Sequence, residues 1–195
     1  ATRLLEAWGL GAAARRIGYN PKFTAVRDGL GGELLSSTPL GIDGHHADGS
    51  PFLHVHRADL HALLLEAVRR NDPDCLWLGR RLHALDQDGD GVTAVFDDGT
   101  RLRAAMLVGA DGNKSRVRQY VAPGATSSFT GNMAWRGLVP AALLRAELRI
   151  PESFVFVGRR RHVVRYLLRG GTLMNYVAIA ERDAWQDEGW TVRST

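Results

Sequence analysis

The sequence predicts a mixed α/β protein, an α+β mixture in which helices and sheets occupy different stretches. In residues 57–71, apolar side chains recur at the i, i+3, i+4 and i+7 spacing of an amphipathic helix, beginning at Leu60. Two blocks of short apolar or alternating segments, residues 81–108 and 154–179, are interrupted by Gly-containing turns. We therefore expect an α/β part up to about residue 122 and a sheet-dominated part after it.

The elements before residue 71 each have a local signal. Leu4, Leu5, Trp8 and Ala12 share one helical face, which predicts a helix over residues 3–16. The Gly-rich stretch 29–32 lies between two strand-like segments, residues 22–28 and 33–38, and predicts a hairpin. The polar stretch 39–51 predicts an exposed loop, and residues 52–56 a short strand.

The elements after residue 71 are mostly strands. The Gly-rich turns at 89–91 and 98–99 predict a meander of strands over residues 81–85, 92–96 and 102–108. A short helix is expected from Ser115 to Val121. Further strands are predicted at 132–139, 154–157, 163–168 and 173–179, with a helical stretch after Pro140 and a turn at 169–171.

The composition is that of a soluble globular protein. The 195 residues carry a formal net charge of +4, and 45% are hydrophobic. A single cysteine, Cys75, rules out an intramolecular disulfide framework, and the apolar run near Leu60 is too short to span a bilayer. The 23 Arg and 2 Lys residues are scattered among 21 acids, against the pattern of a nucleic-acid surface. We expect a cytoplasmic protein with neither nucleic-acid nor membrane partners.

Three motif-like stretches are better explained by ordinary structure. Residues 9–14 match G-x-G-x-x-A, but a helix precedes them where a dinucleotide site needs a strand. Residues 86–91 resemble an EF-hand loop, but strand-like segments flank them where helices should lie. The four histidines that might suggest a metal lack a convincing third ligand, and we predict no metal site; they are His45, His46, His54 and His56.

The most informative segment is residues 106–118. An apolar stretch ends in Gly-Ala-Asp-Gly, and a Ser precedes a basic helix start. Gly109 and Gly112 allow close approach of a ligand to the backbone, Asp111 can accept ribose hydroxyls or orient donors, and Ser115 can cap the helix. The alternative is a plain strand–turn–helix junction.

This segment resembles the Asp-Gly motif of the FAD-dependent aromatic-ring monooxygenases, the family of salicylate and 3-hydroxybenzoate hydroxylases. Other stretches are similar to the same family in the same order, across essentially the whole chain. They are the H-R-x-x-L-x-x-x-L start at 56–64, the meander at 79–111, F-T-G at 129–131 with W-R-G at 135–137, and the strand at 162–166 followed by R-G-G at 169–171.

The resemblance implies a domain division and a reaction. Residues 1–122 would be a partial FAD-binding, Rossmann-like domain with a β-meander and an inserted substrate-side hairpin near 22–38. Residues 123–195 would be a partial substrate-binding β-sheet domain. The parent enzyme would hydroxylate a phenolic or aromatic acid through a flavin hydroperoxide, using non-covalent FAD, NAD(P)H and O2. A homodimer is among the assemblies left open.

The resemblance also implies cofactor contacts. Arg57 would contact the FAD phosphates or ribityl chain; alternatively it is a solvated charge at a helix start. Leu82 would present its backbone to the adenine; alternatively it is a core residue of a strand. Asp111 and Gly112 would build the FAD pocket and shape the approach of the nicotinamide. Arg118 would be either a phosphate partner or a surface ion-pair residue.

His162 and Tyr166 are the candidate catalytic residues. Their spacing of four places both on one face of a strand. In the related hydroxybenzoate hydroxylases, a His and a Tyr at this spacing lie beside the aromatic substrate. His162 would take the phenol proton, and Tyr166 would hydrogen-bond the substrate carboxylate or hydroxyl. The alternative is a half-buried strand pair without chemistry, and Trp135 is expected to fill the core.

The sequence departs from the family at both ends. Residues 1–195 contain neither the strand with G-x-G-x-x-G nor the later Gly-Asp motif of the family, and they start without Met in a helical pattern. We therefore expect an internal segment of a longer enzyme that binds FAD poorly by itself, since FAD affinity depends on backbone N–H groups at a helix N-terminus. The alternative is a non-catalytic truncated remnant or interaction module.

Overall fold

A computed structural model describes residues 1–41, 43–150 and 153–184. The described residues form two compact units, one from Ala1–Arg70 and Thr130–Thr195 and the other from Asn71–Phe129. Both contain helices or short helical turns together with sheets, which confirms the predicted mixed α/β class. The predicted functional division at residue 122 stays a prediction. No helix in these ranges is long and apolar enough to cross a membrane.

The described elements follow the predicted order. The helices are α1 (Thr2–Ala7), α2 (Gly11–Ile17), α3 (Arg57–Asn71) and α4 (Arg116–Val121). The strands are β1 (Gly18–Tyr19), β2 (Phe23–Asp28), β3 (Leu34–Pro39), β4 (His54–Val55), β5 (Leu82–Asp88), β6 (Gly91–Phe96), β7 (Arg101–Ala104), β8 (Asn132–Pro140), β9 (Ser153–Gly158), β10 (Arg161–Leu168) and β11 (Leu173–Glu181). Short 3-10 turns occupy Ala141–Leu143, Ala146–Leu148 and Arg169–Gly171.

The prediction of one helix over residues 3–16 is wrong. Gly9 adopts a φ of 71°, a left-handed conformation that ends α1, and α2 begins two residues later. The break turns Leu10 inward, where it packs with Leu5, Ala14 and Leu63 of α3. Trp8, which the continuous helix would have buried, is 60% exposed.

A six-stranded sheet dominates the first unit. Its order is β3-β2-β9-β10-β11-β8, and every neighbouring pair is antiparallel except β2 with β9. The predicted hairpin is β2–β3, and the parallel pairing of β2 with β9 joins it to the strands that follow residue 130. One sheet thus carries chain segments from both halves of the sequence.

A three-stranded meander, β5-β6-β7, dominates the second unit. The EF-hand-like letters form the turn between β5 and β6, where the Asp88 carboxylate accepts two hydrogen bonds from Arg103, at 3.0 and 2.8 Å. Strand β7 ends at Ala104, short of the predicted Val108. Met106 and Val108 are 75% and 79% exposed and belong to no described strand. Apolar character alone therefore did not predict a strand correctly here.

We expect Gly137→Ala to destabilise the first unit. Gly137 lies opposite Tyr176 in the β8–β11 pair, and a Cβ there would come within 2.2 Å of the tyrosine ring. Relief of that overlap should cost about 1–3 kcal/mol in the free energy of unfolding, measured by urea titration. Gly89→Ala is the control, because a Cβ there meets nothing within 4 Å. Equal effects of the two substitutions would contradict the assignment.

Candidate functional site

A cavity of about 480 Å³ lies in the first unit, against the sheet. Arg57 and Tyr166, which come from motifs far apart in the sequence, both line it. The full lining is Val55, His56, Arg57, Arg136, Gly137, Leu138, Tyr166, Leu168 and Asn175. Among these described residues there is no carboxylate, so the polar wall consists mainly of hydrogen-bond donors and positive charge.

Arg57 reaches the cavity because α3 begins there. The carbonyl of His56 accepts hydrogen bonds from the N–H groups of Asp59 and Leu60, both at 3.0 Å, which fixes the first turn of the helix. The arginine itself is exposed at the start of α3. The Nδ1 atom of His56 is buried and makes no hydrogen bond within the described residues.

Tyr166 reaches the cavity because of strand register. Tyr166 lies directly opposite Asn175, and Asn175 lies opposite Leu138, so the three side chains share one face of the sheet. The side-chain Nδ2 of Asn175 is buried without a hydrogen-bond partner in the described part of the chain. The sequence analysis missed Asn175. The predicted strands 163–168 and 173–179 could have revealed it, since pairing of Leu168 with Leu173 sets Asn175 opposite Tyr166.

His54 supports Tyr166 from the side. The two rings lie 4.7 Å apart between centroids and are tilted by 54°. Burial lowers the pKa of His54 below its ordinary value of 6.5, and a hydrogen bond with the backbone of Leu167 opposes this shift only in part. His54 is therefore neutral at pH 7. His54 and His56 were considered from the sequence as metal ligands, and neither was expected in this cavity.

The structure separates the two candidate catalytic residues. His162 shares the face of β10 with Tyr166, but four residues correspond to about 13 Å along a strand. His162 lines a different cavity, of about 350 Å³, together with Trp135 and Phe156. Trp135 is half-buried, with the guanidinium of Arg182 5.6 Å from its ring centroid. The two residues thus share a face of the sheet but line different cavities.

In the second unit, Asp111 organises the start of α4. Its carboxylate accepts hydrogen bonds from the Ser115 hydroxyl and from the Arg116 N–H, the latter at 2.7 Å. Ser115 in turn accepts from the Arg118 N–H at 2.9 Å, the cap that the sequence predicted. The bond from Ser115 is the main cause of a lowered pKa for Asp111, which keeps this exposed carboxylate ionised.

The other predicted residues of this unit lie at the start of β5 and in the turn before α4, and Arg116 contacts the first of these. Its guanidinium donates to the carbonyl of His83, beside Leu82 at the start of β5, at 3.2 Å. Leu82 is half-buried opposite Phe96. Gly112 adopts a φ of 77° and has open space where a side chain would lie. The guanidinium of Arg118 donates a hydrogen bond to the carbonyl of Asn113 within the same turn.

We expect His54 to make stability depend on pH. Its pKa in the folded state is lowered, so the unfolded chain binds more protons near pH 6.5 and the free energy of unfolding falls as the pH is lowered through that value. His54→Phe keeps a ring against Tyr166 but removes the titration, and should flatten the dependence between pH 7 and 5. Urea unfolding at each pH is the measurement.

The control for this prediction is His61→Asn, which removes an exposed histidine of α3. It should leave the slope of stability against pH as it is in the unsubstituted chain. A His54→Phe variant with an unchanged slope would contradict the burial argument.

Comparison with known proteins identifies the family. Residues 2–167 match the family described as "FAD binding domain". The chain is 32% identical to 3-hydroxybenzoate 6-hydroxylase 1 of Aquipseudomonas alcaligenes, over 94% of this chain and 47% of the relative. It is 31% identical to 3-amino-4-hydroxybenzoate 2-monooxygenase PtmB3 of Streptomyces platensis, over 98% and 48%. The chain therefore spans about half the length of the curated relatives it matches.

Solved structures also have a fold similar to that of this chain. Klebsiella pneumoniae HpxO complexed with FAD and uric acid matches with a TM-score of 0.78 and 26% identity, covering 96% of this chain and 46% of that one. A salicylate hydroxylase substrate complex shares the fold, with a TM-score of 0.75 at 22% identity, covering 98% and 49%. The match over residues 2–167 shows that the chain belongs to the FAD-binding domain family, that of the flavin-dependent aromatic-ring hydroxylases which the ordered motifs predicted.

Proposed function

We propose that this chain supplies flavin-contacting and substrate-contacting residues of an FAD-dependent monooxygenase that hydroxylates a small phenolic acid. The observation that carries the proposal is the cavity that Arg57 and Tyr166 line together. The names of the relatives, a 3-hydroxybenzoate 6-hydroxylase among them, support a hydroxybenzoate-like substrate. One oxygen atom of O2 would enter the ring and the other would leave as water, with NADH or NADPH supplying the electrons.

The residues of the cavity fit FAD. The phosphates and ring carbonyls of FAD are hydrogen-bond acceptors, and the described lining offers Arg57 and Arg136 without any carboxylate. His56 and Asn175 add polar side chains to the same lining. Bound FAD would supply the redox chemistry that no side chain provides. The chain would contribute binding, orientation and exclusion of water.

The residues of the second unit fit a nucleotide. Asp111 is exposed and held ionised, and a carboxylate has lone pairs to accept ribose hydroxyls beyond those engaged by Ser115 and Arg116. Gly112 has no side chain to obstruct a ligand, and Leu82 offers its backbone at the start of β5. We assign these three residues to FAD contacts. Arg118 is assigned to the turn, because its guanidinium donates to Asn113.

The substrate side of the proposal rests on Tyr166, which lines the same cavity as Arg57. A phenolate ring is more electron-rich than a phenol and attacks an electrophilic oxygen more readily, so a base that removes the phenol proton promotes hydroxylation. His162 lines another cavity, about 13 Å along β10 from Tyr166, so we assign the substrate contact in this cavity to Tyr166 alone. Tyr166 would hydrogen-bond the substrate carboxylate or hydroxyl, with its ring braced by His54.

We expect Arg57→Gln to weaken FAD binding. Removal of a charged donor to a phosphate should raise the FAD dissociation constant about ten- to a hundred-fold, since such bonds contribute about 1.5–3 kcal/mol. Flavin fluorescence titration measures it. Arg69→Gln, an exposed substitution near the end of the same helix, is the matched control. FAD binding that is equally strong in both variants would remove Arg57 from the site.

We expect Tyr166→Phe to act on the aromatic ligand and to leave FAD binding unchanged. The ring packing against His54 survives, while the hydroxyl is lost, so 3-hydroxybenzoate should bind about ten-fold more weakly to the FAD-loaded protein, as expected for one hydrogen bond. The change in the flavin absorbance spectrum on adding the ligand reports binding. Wild-type affinity in this variant would show that Tyr166 does not contact the substrate.

One observation favours the alternative of a non-catalytic interaction module. The apolar side chains Met106 and Val108, two positions apart in the sequence, are 75% and 79% exposed, and a partner protein would cover them. FAD titration of the 195-residue chain separates the two proposals. Saturable binding that Arg57→Gln weakens supports the enzyme and argues against the module.

A further inference from the structure

A bidentate ion pair ties the first turn of α3 to the turn between β10 and β11. The Nε and Nη2 atoms of Arg169 donate to Oδ2 and Oδ1 of Asp59 at 2.7 and 2.8 Å. The two residues are 110 positions apart in the sequence. The Asp59 side chain is 22% exposed, so the contact is partly shielded from water and is stronger than a freely exposed pair.

The backbone at Arg169 is itself unusual. Its φ of 49° lies in the left-handed region, which costs free energy for a residue with a Cβ and which glycine adopts freely. The residue is held there on two sides. Its carbonyl accepts hydrogen bonds from the N–H and the hydroxyl of Thr172, and its guanidinium is held by Asp59. The conformation aims a long cationic side chain at α3.

The pair joins two walls of the 480 Å³ cavity. Asp59 follows the cavity-lining Arg57 by two residues, and Arg169 directly follows the cavity-lining Leu168. We propose that Asp59 and Arg169 are a positioning pair, which holds the first turn of α3, and Arg57 with it, against the strand that carries Tyr166. The effect of the pair on FAD affinity rests on the proposed function, whereas its effect on the first turn of α3 does not.

The electrostatics agree with this role. The hydrogen bond from Arg169 is the main cause of a lowered pKa for Asp59, so both partners are ionised at neutral pH. His56 Nδ1 lies 3.9 Å from Oδ1 of the same carboxylate, outside hydrogen-bond reach. The Asp59 carboxylate is therefore paired with Arg169 and makes no hydrogen bond to His56 Nδ1.

The chain contains a matched control at the opposite end of β10. Arg160 also has a left-handed φ, of 58°, and its guanidinium also pairs with a carboxylate, that of Glu181. Its carbonyl also accepts a backbone hydrogen bond, from Glu181 at 3.0 Å. Arg160 is not among the residues that line the 480 Å³ cavity. Substitution at Arg160 thus reproduces the backbone and charge changes away from the site.

The first experiment needs no cofactor. Hydrogen exchange of the Asp59 and Leu60 amides, which bond to the His56 carbonyl, is followed by NMR in wild-type chain, Arg169→Lys, Asp59→Asn and Arg160→Lys. Lysine keeps the charge but loses the bidentate geometry. We expect amide exchange to be about five-fold faster in Arg169→Lys and in Asp59→Asn than in the wild-type chain, as for loss of about 1 kcal/mol. Exchange in Arg160→Lys should be unchanged.

The double substitution Asp59→Arg with Arg169→Asp tests the pairing itself. Aspartate tolerates left-handed backbone, so the swap keeps the turn and re-forms the pair in reverse. We expect exchange slower than in either single substitution. Unchanged exchange in Arg169→Lys, or equal acceleration in Arg160→Lys, would overturn the proposal.

The second experiment uses FAD titration and, for loaded protein, steady-state kinetics with 3-hydroxybenzoate. We expect Arg169→Lys to raise the FAD dissociation constant about five-fold while Arg160→Lys leaves it unchanged, with KM altered more than kcat. FAD binding that Arg57→Gln leaves unchanged contradicts the proposed role of Arg57, and the exchange data then decide the positioning role alone. Wild-type chain that binds FAD as tightly as Arg169→Lys contradicts the inference alone.

Discussion

The unbroken register of β8, β11 and β10 is the constraint on which the candidate site depends. Side chains alternate between the two faces of a strand, so this register sets Tyr166 beside Asn175 on the cavity face. The opposite face is packed differently, with the guanidinium of Arg165 4.3 Å from the ring centroid of Phe154. A slip of one residue would exchange the two faces and remove the polar wall of the cavity.

Elements with strong local signals were predictable from the sequence. Helix α3 matches its predicted bounds because its apolar stripe and its ends agree, and the β2–β3 hairpin follows from its Gly-rich turn. The wrong predictions have local causes that the periodicity of apolar residues does not reveal. The φ of Gly9 split the first helix, and the predicted third meander strand ended early at Ala104 because apolar letters do not supply a pairing partner.

The sequence predicted a residue of the candidate site only where that residue belonged to a recognisable motif. Arg57 and Tyr166 came from separate motifs, and their shared cavity emerged only in three dimensions. Arg136 escaped because its position depends on the pairing of β8 with β11, two strands that are not consecutive in the sequence. His54 escaped because its contact with Tyr166 joins a two-residue strand to the main sheet. Long-range register, more than local propensity, decides which side chains meet.

The polar wall of the cavity argues for a ligand on energetic grounds. A buried polar atom without a partner costs about 1–3 kcal/mol, and His56 and Asn175, both in the lining, each carry such an atom. Here the donors lie beside Arg57 and Tyr166, and the Asp59–Arg169 pair holds one wall to the other. The arrangement gives up stability for preformed donors, which is favourable only if an acceptor-rich molecule binds between them.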